Sequence, residues 1–373
     1  MKKINNAEHI FFKLLRAGLW EEDACLSSCD GIDYSAIYSL AEEQSVIGLI
    51  AAGLDHVKDV KVPQELLLSF IGSTLQIEQR NNAMNSFVAD LIEKLRRENI
   101  YALLVKGQGV AQCYERPLWR ASGDVDLLLS EDNYRRAKQI LIPIATTVED
   151  ESETSKHLGL TINNWLVELH GKLHSSLSNR IRNGLNEIMN ETFYGGNVRS
   201  WMNGKVQVFL LGVNNDVIYV FTHFLGHFYK GGIGLRQICD WCRMLWANKD
   251  KIDTQVLERK IKHMGLMNEW KAFGAFAVEY LGMPVESMPL YSNKKKWKRK
   301  ADYICSFVLE VGNFGHNRDM SYYTKYPYLL RKFFSLGIRL KDLFRHARIF
   351  PFDTLSYIPM IMWSGLRSAV RGE

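Results

Sequence analysis

Asp124 and Asp126 stand one residue apart at the head of the apolar run DVDLLL. On a strand, side chains at i and i+2 leave the same face, about 7 Å apart at the Cα level, so these two carboxylates share one side. Like charges on one face repel unless a cation or a basic group sits between them. A hard divalent ion such as Mg²⁺ prefers carboxylate oxygens and keeps positions open for phosphate. The run WLVELHG supplies a third acid, Glu168, with His170 two residues further along on the same face. Three acids from adjacent strands can hold two metal ions about 3.5–4 Å apart, an arrangement that activates an attacking oxygen and stabilises a leaving one in phosphoryl transfer. A D-x-D pair also suits a solvated strand end with turn-forming acids. Gly123, which leaves room for a ligand, and the strand end at Lys106-Gly107 favour the ligand-binding alternative.

The surrounding periodicities supply elements to position these residues. Residues 1 to about 98 read mostly as helix, and NNAMNSFVADLIEKLRREN sets Met84, Phe87, Val88, Leu91, Ile92 and Leu95 on one apolar face. IYALLVK, closed by Gly107, carries a strand signal, and GQGVAQCYE a short helix after a tight turn. DVDLLL is the next strand. Ser130 caps a helix with Glu131 and Asp132 in its first turn and Arg135, Arg136 and Lys138 beyond, the charge order a helix dipole favours. KHLGLTI and WLVELHG flank Asn163-Asn164 as a β-hairpin. KVQVFLL is a further strand, and from Asn214 helix dominates again, most clearly in VIYVFTHFLGHFY. The expected fold class is α+β, a small mixed β-sheet core between two helical regions. The expected boundaries are 1–75 for the N-terminal helical region, 76–211 for the core and 212–373 for the C-terminal helical domain.

Bulk properties narrow the setting. The chain has 373 residues, 47% of them hydrophobic and 12% aromatic, which is a globular and not a disordered composition. A formal charge of +6 permits a nucleic-acid partner without demanding one. The six cysteines, Cys25, Cys29, Cys113, Cys239, Cys242 and Cys305, form no dense framework, which suits a reducing compartment. The opening MKKINNAEHIFFKLL is interrupted by Asn, Glu, His and Lys and does not read as a signal peptide. No uncharged apolar stretch of about 20 residues occurs, so no spanning helix and a cytoplasmic location are expected.

LLVKGQGVAQCYERPLWRASGDVDLLL resembles the polymerase-beta-type nucleotidyltransferase superfamily, and more closely its poorly characterised bacterial branch. The matching residues are Leu103, Leu104, Lys106, Gly107, Tyr114, Pro117, Arg120, Gly123, Asp124 and Asp126. VELHGKLH is similar to the branch's third acidic strand. HFLGHFYKGGIGLRQICDWCRML is similar to its C-terminal helical signature through His223, His227, Leu235, Arg236 and Asp240. The resemblance spans roughly residues 80 to 245, with a weaker echo at GNFGH, Gly312 to His316.

The resemblance implies transfer of a nucleoside monophosphate from an NTP to a hydroxyl acceptor, with pyrophosphate leaving. It implies that Asp124 and Asp126 bind the metals, two Mg²⁺ or Mn²⁺ ions. Glu168 would bind the second and help activate the acceptor as ligand or general base. The turn at Gly107 and Gln108 would present backbone N–H groups to the triphosphate, although Gln108 stands where the superfamily usually has Ser or Gly. The stretch from Gly107 to Asp124 is also longer than the superfamily norm. Lys106 and Arg120 would neutralise phosphate charge, and His223, His227 and Arg236 would face the phosphates across a cleft. Asp240 is expected to orient Arg236 in an ion pair. The alternative keeps the fold as a non-catalytic module that binds nucleotide, RNA or a partner protein, regulatory or antitoxin-like.

Other motifs receive plainer readings. His223 and His227 have a metal-compatible spacing but no third ligand in place, which favours packed or cleft-facing side chains. GGIG (Gly231 to Gly234) lacks G-x-G-x-x-G spacing and a preceding strand, so it reads as a helix-breaking turn. CDWC, Cys25 and Cys29 read as core. NKKKWKRK reads as a solvated charge run, the alternative being nucleic-acid contact with Trp297 stacked on a base. The tail YIPMIMWSGLRSAVRG, broken by Pro359 and Gly365, is expected to dock on the protein's own core and not on a membrane surface. No serine sits in a nucleophile-elbow pattern.

Overall fold

A computed structural model describes residues 4–152, 156–175, 177–315, 317–318, 325, 327–359 and 363. Its centre is a mixed sheet of β1 (Ala102–Val105), β2 (Val125–Leu129), β3 (Thr147–Val148), β4 (His157–Ile162), β5 (Trp165–His170), β6 (Val198–Asn203) and β7 (Val206–Leu211). The strand order is β3-β4-β5-β2-β1-β7-β6. β1 runs antiparallel to β2 and parallel to β7, while β2 runs parallel to β5 with Asp126 opposite Glu168. The helices are α1 (Asn6–Trp20), α2 (Tyr34–Glu43), α3 (Ile47–Asp55), α4 (Gln64–Arg97), α5 (Gly107–Ala111), α6 (Glu131–Leu141), α7 (Asn179–Phe193), α8 (Val213–Lys230), α9 (Leu235–Ala247), α10 (Thr254–Met264), α11 (Met267–Glu279), α12 (Lys295–Val311) and α13 (Tyr328–Ile349).

Alternation along the strands sorts two environments. Leu104, Val125, Leu127, Leu129, Val167 and Leu169 face one side, where the stripe Met84–Leu95 of α4 and Tyr134, Ala137 and Leu141 of α6 close over them. Leu103, Val105 and Leu128 face the other side and join a larger core. That core is shared by helices from both ends of the chain, including Phe11, Ile50, Phe221, Trp241, Trp270 and Phe350. Arg16 Nε and Trp20 Nε1 of α1 donate to the carbonyls of Tyr280 (2.8 Å) and Leu281 (2.6 Å), fastening the first helix to the chain after α11.

Local chemistry explains the elements. Asn163 and Asn164 both take positive φ (50° and 66°), as a two-residue type I′ turn requires, and set Ile162 opposite Trp165. The Ser130 hydroxyl accepts the Asn133 N–H and caps α6. Gly231 caps the end of α8 and α9 begins after Gly234, so GGIG is a turn. The sequence reading omitted α7, β6 and β3. β6 lies at the sheet edge and has no fully buried residue, so it lacks the apolar alternation that marks a half-buried strand.

One other reading changes. Cys239 and Cys242 are core, but Cys25 is exposed and Cys29 half-buried, because they lie in the loop between α1 and α2. Trp297, in the first turn of α12, is buried, with Lys296 and Lys300 ammoniums 4.4 and 5.4 Å from its ring centroid, so it presents no free face to a base. Lys294, Lys295, Lys296 and Arg299 are solvated as expected. Of the tail, Tyr357 is buried, while 360–362 and 364–373 lie outside the described residues, as does His316 of the GNFGH echo. Among the described residues no helix is long and apolar enough to cross a membrane.

Candidate active site

The site begins at a strained turn. Lys106 follows β1 with φ 60° and ψ −149°, a region nearly reserved for glycine, and Gly107 continues at φ 45°. Such a residue costs about 1–3 kcal/mol and persists only where its surroundings over-determine it. Here the surroundings include an ion pair, since Lys106 Nζ lies 2.7 Å from Asp126 Oδ1 on the neighbouring strand. Burial works to lower the Lys106 ammonium, and Asp126, with Tyr219 and Asp124 behind it, more than reverses this, so the net shift is upward.

Asp124, Asp126 and Glu168 each bring a carboxylate oxygen into one group, all within 4.8 Å of one another. Parallel pairing of β2 with β5 places Asp126 beside Glu168, and Asp124 shares their face. Asp126 is only 2% exposed and is met by Lys106 and by His170 Nε2 at 2.8 Å. Glu168 Oε2 is approached by His157 Nε2 (3.1 Å) and His170 Nε2 (3.4 Å). Burial pushes Glu168 up, but the bonds from His157 and His170 outweigh it and hold the carboxyl well below its usual range. Burial lowers the His170 imidazolium less than Asp126 and Glu168 raise it. Asp124 has no ion-pair partner among the described residues, and burial, then the charge of Asp126, push its carboxyl up. A cation beside Asp124 would relieve that repulsion, so the trio fits divalent ions.

The helices form the opposite wall. Val220, His223, Phe224 and His227 of α8 recur at i, i+3, i+4, i+7, which puts all four on the cleft face. The Nε2 atoms of His223 and His227 are 3.1 Å apart. Burial first, then the Lys106 charge, lowers both imidazoles, that of His227 to about 4, so at neutral pH they offer hydrogen bonds and not positive charge. From α9, Arg236 Nη1 donates to Ala121 O at 2.8 Å, while its buried Nε has no hydrogen-bond partner among the described residues.

Asp240 does not orient Arg236. Its two oxygens accept Nε and Nη2 of Arg120, both at 2.7 Å, and Oδ1 also accepts the Tyr114 hydroxyl at 2.8 Å. The turn at Pro117–Trp119 delivers Arg120 beneath α9, where fork-to-fork geometry is satisfied. Arg120 charge is therefore already matched, although the residue lines the cleft. Gln108 turns away altogether: its buried Nε2 donates to Asn81 Oδ1 (3.0 Å), and Asn81 Nδ2 donates to the Leu118 and Arg120 carbonyls (both 2.7 Å). It pins the arginine-bearing loop to α4.

Lys106, Gly107, Arg120, Gly123, Asp124, Asp126, Glu168, His223, His227 and Arg236 line one cavity of about 250 Å³. Sequence reasoning missed His157, although a two-residue turn at Asn163-Asn164 dictates that it pairs with His170. It also missed Gln44, fully buried, whose Oε1 accepts the Leu235 N–H (3.0 Å) and whose carbonyl accepts that of Arg236 (3.3 Å). The N-terminal helices thus seat the start of α9 and, with it, Arg236.

The mixed sheet and its flanking helices define an α+β nucleotidyltransferase-like fold. The model of the family described as uncharacterised nucleotidyltransferase matches residues 30–282, more than half of the chain, and the chain belongs to that family. No curated relative and no solved structure matches it.

Proposed function

We propose that the chain is a divalent-metal-dependent enzyme that moves a nucleoside monophosphate from an NTP to a hydroxyl acceptor. The observation that carries this is the convergence of three carboxylates in a cleft whose far wall holds an incompletely bonded arginine. Asp124, Asp126 and Glu168 would hold two Mg²⁺ or Mn²⁺ ions. When bound, such ions neutralise triphosphate charge and ease loss of the acceptor proton. Glu168, held anionic by two imidazoles, suits ligation better than proton abstraction. Arg236 offers its free donor to a phosphate oxygen, and His223 and His227 offer neutral hydrogen bonds. The acceptor hydroxyl would give up its proton to solvent as its oxygen forms a bond to the α-phosphorus, the bond from that phosphorus to the bridging oxygen breaks, and pyrophosphate leaves.

One observation favours the second reading. Asp126 is already compensated by Lys106 and His170, as a metal-free nucleotide-, RNA- or partner-binding module would require. Binding of NTP by the chelator-treated protein, with and without Mn²⁺, separates the two. The enzyme reading expects binding that needs the ion and disappears in Asp124→Asn while circular dichroism is unchanged. Equal binding in all four conditions supports the non-catalytic module. Labelled NTPs incubated with cell extract then reveal the fraction that accepts the label.

A further inference from the structure

We propose that His157, His170 and Glu168 form a second cation position, different in chemistry from the carboxylate trio, that takes a borderline ion of the zinc or cobalt class. It shares Glu168 with the proposed catalytic site but does not depend on nucleotidyl transfer.

Geometry carries the argument. The β4–β5 hairpin pairs His157 with His170 and Gly159 with Glu168, so two imidazoles and a carboxylate stand on the same face within one cross-strand step. Both Nε2 atoms converge on a single oxygen, Glu168 Oε2, at 3.1 and 3.4 Å. With metal–nitrogen bonds of about 2.0–2.1 Å, the edge of a tetrahedron of ligands is about 3.3–3.4 Å, so these separations match one that an ion could enter without moving the strands. All three ligand atoms lie within 4.8 Å of one another. The neighbouring residue Gly159 has no side chain, and the Glu149 carboxylate lies across the space a Cβ would take, adding an acid beside the same face.

The donor set decides the ion. Two imidazoles and one carboxylate suit Zn²⁺ and Co²⁺, whereas Mg²⁺ prefers oxygen alone and keeps its waters. The side chains of His157, Glu168 and His170 are 32%, 22% and 12% exposed, which leaves solvent access for entry and for an open ligand position. His170 Nε2 also lies 2.8 Å from Asp126 Oδ1, so the competing arrangement is an ion-free bridge between two acids.

The test uses the full chain without nucleotide. Chelator-treated protein is titrated with Zn²⁺ against a chromophoric competitor, and with Co²⁺ while visible absorption is followed. One tight equivalent is expected, with the intense bands of four-coordinate cobalt, ahead of any weaker binding at the carboxylate trio. His157→Ala should weaken the tight Zn²⁺ binding at least about tenfold, and Lys295→Ala, an exposed residue of α12 away from the cleft, should leave it within about twofold. His157→Asn is the second variant should alanine disturb the hairpin. Absence of Zn²⁺ binding by the folded wild type, or unchanged affinity in the His157 variants, overturns the proposal. Retained Zn²⁺ binding together with metal-independent NTP binding would instead overturn the enzyme reading and leave this one standing.

Discussion

Val125, Leu127 and Leu129 leave β2 on one side, and Asp126 leaves it on the other. The strands are shared, yet the two faces of the sheet obey opposite physics. On the α4–α6 side the residues of β1 and β2 are apolar and closed over, and each buried leucine-sized side chain contributes about 1.5–3 kcal/mol. On the cleft side a 2% exposed carboxylate carries a desolvation cost of several kcal/mol that only Lys106 and His170 offset. One face contributes apolar burial alone, and the other joins the larger core while carrying a charged floor. Period-two alternation is what lets one short segment serve both.

Perturbations should separate the faces. The largest effect is expected from Asp124→Asn: nucleotidyl transfer should fall at least about 10³-fold, the loss of several kcal/mol of metal-borne charge stabilisation. Its melting temperature should hold or rise, because a like-charge neighbour of Asp126 is removed. Transfer retained at wild-type rate would erase the contrast between the faces. Next, Arg120→Ala strands a buried Asp240 and should cost about 3–5 kcal/mol in urea unfolding, although Arg120 lines the cleft. Leu127→Ala, on the apolar face and fully buried, should cost about 2–5 kcal/mol while nucleotide affinity per folded molecule stays unchanged.

Two smaller effects sharpen the comparison. Arg236→Ala should weaken nucleotide binding by about 1.5–3 kcal/mol, the worth of a charged hydrogen bond, and cost only about 0.5–1.5 kcal/mol of stability, because its one protein hydrogen bond is to the Ala121 carbonyl. Glu269 offers a buried acid with no ion-pair partner among the described residues. It is fully buried, its Oε1 accepts the Tyr229 and Tyr357 hydroxyls at 3.2 Å, and burial pushes its carboxyl up to about 8. The unfolded chain loses that proton near pH 4.3, so between there and pH 8 the native state binds more protons than the unfolded state. Stability from this residue is therefore present at low pH and falls as pH rises, by at most about 1.4 kcal/mol per unit. Glu269→Gln should flatten the slope measured by chemical unfolding between pH 5 and 8, and an unaltered slope would contradict it.

Much of the cleft was legible in the residues. The i, i+2 spacing alone put Asp124 with Asp126, and Glu168 with His170. The Asn163-Asn164 turn fixed a hairpin, and helical spacing put His223 and His227 on one face. The pairing of Asp240 was misread. Arg236 precedes it by one helical turn, but the better partner, Arg120, comes from 120 residues earlier and arrives through a turn whose path no local pattern reports. The partner of the Gln108 side chain was not legible for a related reason: its amide finds Asn81 of α4, a contact no local pattern reports.

By itself the sequence determined the alternation of charged and apolar residues, the hairpin turn, the helix caps and the acids able to meet a cation. These follow from backbone geometry over a few residues. Tertiary structure alone decided that β2 lies beside β5, that Lys106 folds back onto Asp126, and that Gln44 from the first fifth of the chain seats α9 at the cleft. Those contacts are chosen by burial of a core drawn from both ends of the chain, and burial of that kind depends on the whole packed set of side chains and on no single stretch.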